Sequence, residues 1–97
     1  MTINIDSLLP RREGLIAHID ISGHLPSPAH EITAIRHGIT QHGSISISID
    51  TREKDGMFPQ VMKKVRESVN LGRVGPGNYP LHITCNGATV HMGKIAL

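Results

Sequence analysis

The sequence predicts an α+β domain, a small antiparallel sheet of about four strands with one main amphipathic helix packed on one face. Three observations carry this. Serine and isoleucine alternate strictly over residues 44–50. Asn86-Gly87 sits between two alternating segments. Apolar residues from Phe58 to Val69 recur at spacings of three and four.

The elements follow in chain order. Residues 1–13 read as a lead-in segment, with a short strand at Ile3 and Ile5, a helical turn at Ser7-Leu8-Leu9, and an exposed connection from Pro10 to Glu13. In residues 14–22, Leu15, Ala17, Ile19 and Ile21 fall on one face, and Ile16, His18, Asp20 and Ser22 on the other. A period of two marks a strand. Gly23, Pro26 and Pro28 close it.

Two readings compete for residues 27–40. Ser27 as a cap, Pro28 at the first helical position and Gly38 past the end predict a second short helix over 28–37. The rival is an extended segment from Glu31 to Thr40, turning at Gln41-His42-Gly43, and β-branched residues favour it. The capping residues set the expectation of a helix here. Residues 44–50 form a strand with Ile45, Ile47 and Ile49 facing a core. The main helix covers 57–70, with Phe58, Val61, Met62, Val65 and Val69 on its apolar stripe and Gly72 as its stop. Residues 73–80, rich in glycine and proline, form a loop.

Asn86-Gly87 is the preferred two-residue type I′ turn of a β-hairpin. Counting outward from it pairs Cys85 with Ala88, Thr84 with Thr89, Ile83 with Val90, His82 with His91 and Leu81 with Met92. The apolar pattern agrees with that register.

Bulk properties bound the function. The 97 residues make a single domain, 1–97. Only 2% are aromatic, with no tryptophan and thirteen isoleucines. That argues against base-stacking platforms and aromatic sugar clefts. The net charge of +2 is small for a dedicated duplex binder. The chain is rich in histidine, with seven, and Cys85 has no cysteine to pair with. No secretory signal and no membrane-length apolar run are present, so a cytoplasmic protein is expected.

If the strands share one sheet, a polar face collects His18, Asp20, Ser46, Ser48, His82, Thr84, Thr89 and His91. His82 and His91, directly opposed, would have β-carbons about 4.5–5.5 Å apart and could chelate zinc, with His18 and Asp20 as further ligands. Zinc is the one cofactor the pattern admits. Three such ligands and a water would make a hydrolytic centre. The bland reading is a solvated sheet face. His24, His30, His37 and His42 read as loop or surface residues.

Familiar catalytic patterns are incomplete. His82-Ile83-Thr84 lacks the second His-x-Thr motif that an acid–base pair would need. Gly72-Arg73-Val74-Gly75 is followed by prolines rather than the helix of a backbone-clamping loop. Cys85 lies on the apolar face.

The function expected is therefore non-enzymatic: an inhibitor, adaptor or assembly subunit that binds a protein partner, of the size seen in phage or mobile-element accessory proteins. Arg73, Lys63, Lys64, Arg66, Thr84 and Thr89 are the candidate partner-binding residues. Self-association, favouring a dimer, is expected from unpaired sheet edges. The alternatives are the zinc protein and a weak nucleic-acid or nucleotide binder using the basic residues and the glycine loop.

Overall fold

The computed structural model describes residues 3–97. It contains seven strands: β1 (Asn4–Glu13), β2 (Ile16–Leu25), β3 (His30–Ile39), β4 (Ile45–Glu53), β5 (Lys63–Arg73), β6 (Asn78–Cys85) and β7 (Ala88–Ala96). They form a three-stranded sheet in the order β1-β2-β5 and a four-stranded sheet in the order β3-β4-β6-β7. The sheets pack face to face around one apolar layer. The predicted α+β class is corrected to an all-β sandwich, because the described residues contain no helix.

The alternating segments take the faces that their sequence dictates. Ala17, Ile19 and Ile21 of β2 point inward, and so do Ile45, Ile47 and Ile49 of β4. From β6, Leu81, Ile83 and Cys85 join them, all at 1% exposure or less. Burying such side chains is worth roughly 1.5–3 kcal/mol each, set against the entropy of ordering the chain.

The predicted helix over 57–70 is instead an irregular connection followed by β5. Val65 and Val69 are four apart, a spacing compatible with both a helix face and a strand face. Leu71 continues the two-residue period, and Val69 and Leu71 are buried. Met57, Val61 and Met62, assigned to that helix or its start, are exposed in the connection. Lys54 places its ammonium 5.5 Å from the centre of the Phe58 ring.

The second predicted helix, 28–37, is also corrected. Residues His30–Ile39 form β3, paired antiparallel with β4, as the extended rival required. The lead-in also becomes structure, since Asn4–Glu13 is a complete edge strand on β2. Within the predicted loop 73–80, Arg73 ends β5 and Asn78 begins β6.

The hairpin of β6 and β7 keeps its predicted turn, with φ of 52° at Asn86 and 86° at Gly87. Both values are positive, as a type I′ turn demands. Cys85 pairs with Ala88 and Thr84 with Thr89 as expected. A bulge then takes up Val90, so Ile83 faces His91, His82 faces Met92 and Leu81 faces Gly93. Asn86 also ties the turn to β4. Its backbone N–H donates to the Ile49 carbonyl at 2.9 Å, and its side-chain carbonyl accepts from Thr51 N–H at 2.9 Å. These bonds extend the parallel pairing of β4 with β6.

Gly23 is the tightest backbone approach in the three-stranded sheet. A Cβ there would lie 2.3 Å from the Asn4 carbonyl oxygen, beside the irregular step of β1 between Ile5 and Ser7. Gly23→Ala is expected to lower stability by about 1–3 kcal/mol, the usual cost of overpacking. Gly38→Ala, where a Cβ meets nothing within 4 Å, is expected to be near neutral. Urea denaturation of the two variants checks the difference.

Candidate functional site

The sandwich divides the predicted polar face between two opposite outer surfaces. His18 and Asp20 lie on β2 in the three-stranded sheet, and His82, Thr84 and Thr89 lie on the hairpin in the other. The bulge also takes His82 and His91 off a common rung, which corrects the predicted register. His82 Nε2 stands 2.8 Å from the Thr89 hydroxyl instead. His91 lies near Gly93, its Nε2 3.5 Å from where a Cβ there would be. Among the described residues, no three His, Cys, Asp or Glu side chains stand close enough to share a metal ion.

The outer surface of the three-stranded sheet holds a polar network across β1, β2 and β5. The Arg11 guanidinium donates to Asp20 at 3.3 Å, to the Ser68 hydroxyl at 3.3 Å and to Glu13. The Ser68 hydroxyl first, and Arg11 second, hold the Asp20 carboxyl below the usual carboxylate range. The same pairing, led by its bond to Asp20, raises Arg11 further above its already high value. The network clamps three strands from outside and leaves its groups engaged with one another.

The basic residues lie along one edge strand. β5 is the free edge of its sheet. Lys64 and Arg66 oppose His24 and Ser22 of β2 on the outer surface. Among the described residues, neither takes part in a salt bridge. Asp6, which lines a shallow depression with them, is engaged by His24 at 3.0 Å. Lys63 opposes the buried Leu25 and reaches the His30 carbonyl at 3.4 Å. Arg73 is seven residues beyond Arg66, about 23 Å along the strand. The four basic candidates therefore do not form one patch.

Beside this strand lies a groove of about 440 Å³ between the free edges of β3 and β5. Ile32, Ile35 and His37 line it from β3, and Glu67 and Val69 from β5. Its origin is a mismatch of three strands against four. Ile45, Ile47 and Ile49 of β4 are 1% exposed, whereas Ile39, paired with Ile45 on the neighbouring β3, is 42% exposed. The last strand of the larger sheet is incompletely covered.

A family model described as the ORF11 beta-sandwich domain matches residues 19–94. The chain belongs to that family. No curated protein and no solved structure matches it. The matched span of this ORF11 beta-sandwich domain runs from within β2 to within β7 and includes both groove strands, whereas β1 precedes it. No helix among the described residues is long and apolar enough to cross a membrane.

Sequence reasoning missed the groove because both of its walls were read as helices. The signal was the alternation Ile35, His37, Ile39 on one side and Val65, Glu67, Val69, Leu71 on the other. His30, expected as a loop or surface residue, begins β3 and is only 6% exposed in this member of the family. His30 Nδ1 pairs with the Ser27 hydroxyl at 3.0 Å, which also accepts from the Ala29 N–H. These bonds fix the chain where it passes from β2 to β3.

The Asp20 clamp gives a pH test. A carboxyl held low in the folded state contributes stability above its unfolded pKa and loses it as pH falls through the folded value. Asp20→Asn removes that contribution. The melting temperature of the wild type is expected to fall more steeply than that of the variant between about pH 5 and pH 2. Thermal melts across that range, followed by circular dichroism, check it.

Proposed function

We propose that this chain is a non-enzymatic interaction module that binds a protein partner along the open β3–β5 side of its sandwich. It would act as an inhibitor, adaptor or assembly subunit. The observation that supports this most is the mismatch between the sheets. On this side the unpaired edges of β3 and β5 flank a groove whose lining includes half-buried isoleucines. An open edge with partly covered apolar side chains is what strand addition by a partner uses.

The other edges are less suited. β1 carries Pro10 and an irregular step between Ile5 and Ser7. β7 carries the bulge at Val90. Proline and bulges both hinder addition of a further strand. β3 is itself interrupted by a bulge at Thr33, so the choice of side rests on β5. That strand keeps a regular register from Lys63 to Asn70, ahead of its own bulge at Leu71, and has no proline. The polar outer faces favour a catalytic reading less, because Arg11, Asp20, His24 and His82 are engaged with neighbours and share no single cavity.

Site-specific photo-cross-linking in a cell extract tests this. Photoreactive residues at His37 and Asn70 are expected to capture the same protein, and those at Thr89 and Lys94 are not. Ile39→Asp, at an already exposed position, is expected to abolish the capture while the fold persists by circular dichroism. Equal adducts from both sets of positions would overturn the groove as the binding side.

A further inference from the structure

The groove has a shape and a charge pattern that specify its occupant, and this inference rests on the protein-binding reading above. We infer that the groove receives an extended acidic strand from the partner, which adds to β5 as a fourth strand of the smaller sheet. The partner strand would be antiparallel to β5. Its outward side chains would be carboxylates at alternate positions, and its inward ones mostly β-branched and apolar.

Geometry supplies the first half of the argument. A strand hydrogen-bonded to the free edge of β5 lies about 4.7–4.9 Å beyond it. That position borders β3 across the groove, where Ile35 and Ile39 are incompletely covered. The addition would bring the three-stranded sheet to the same number of strands as its partner sheet. Every second residue of the added strand would point into the groove, against Ile35 and Val69.

Charge supplies the second half. Residues directly opposed on antiparallel strands share a face. On the outer surface the added strand would meet Lys64 and Arg66, two cations outside the salt bridges among the described residues. Two carboxylates at i and i+2 answer them. On the inner side, Glu67 lies between Val65 and Val69. The residue opposite Glu67 is therefore a threonine or lysine, with apolar residues to either side.

A second copy of the chain meets this pattern poorly. Antiparallel β5–β5 pairing centred on Val65 sets Lys64 against Arg66. Centring on Arg66 or Glu67 sets each against its own copy. Like charges directly opposite are destabilising.

The test is a titration of the full chain, labelled with nitrogen-15 and with carbon-13 in its isoleucine methyl groups, with a short peptide alternating glutamate and valine, with threonine at the place facing Glu67. Amides of β5 and the side chains of Ile35 and Ile39 are expected to shift, and free-edge amides of β5 to gain protection from exchange. The paired change Lys64→Glu and Arg66→Glu is expected to weaken binding about tenfold and to favour a lysine–valine peptide instead. Both positions are exposed, so the fold is retained.

Equal binding of acidic and basic peptides by the wild type would overturn the assignment. So would preference of Lys64 and Arg66 for a single-stranded oligonucleotide, or dimerisation through β5 seen by light scattering. Failure of the peptide while the groove still captures a protein would overturn the acidic strand alone. Failure of both would overturn the protein-binding reading as well.

Discussion

One apolar layer between two sheets is the constraint on which the molecule depends. Inward residues of β2, β4 and β6 meet there, and most are isoleucine. Sheets packed face to face stand about 10 Å apart, so each inward side chain must fill about half that depth. Isoleucine does so without a polar tip and with few rotamers to lose. The poverty in aromatics follows from this arrangement. Phe58 lies in the β4–β5 connection, and Tyr79 packs at the margin, with its hydroxyl donating to the Gly75 carbonyl at 2.6 Å.

What could be read in the sequence were the strands that pack on one face along their whole length. β2 and β4 alternate without interruption, and the Asn86-Gly87 turn states its own geometry. The edge strands were harder. Their inward positions are only partly covered and therefore tolerate Lys63, Glu67 and His37, which dilutes the two-residue period. In β5 the remaining valines are four apart, where helical and extended periods coincide. Lys63, Lys64 and Arg66, which fell within the predicted helix, instead lie along the margin of a sheet.

The candidate metal site failed to assemble for two different reasons. A single bulge in β7 shifted one histidine relative to another, and sequence periodicity does not announce a bulge in advance. The second reason is topological. An alternating strand reveals that it has a polar face, but not which sheet it joins. His18 and Asp20 joined one sheet and His82 the other. The groove was invisible for the same reason, since it exists only once three strands are laid over four.

The parallel pairing of β4 and β6 has a consequence for how the chain reaches this state. Between those strands the chain leaves the larger sheet, adds β5 to the smaller one, and returns. The larger sheet therefore cannot be completed by successive local hairpins. The loop that β6 closes spans the whole of β5, and its entropy is lost before the parallel contacts form. Such a topology places the molecule among slow-folding β proteins, on a scale of milliseconds to seconds. Until β6 arrives, the isoleucine row of β4 has a free strand edge beside it. That interval, rather than the finished sandwich, is when the chain is most exposed to aggregation.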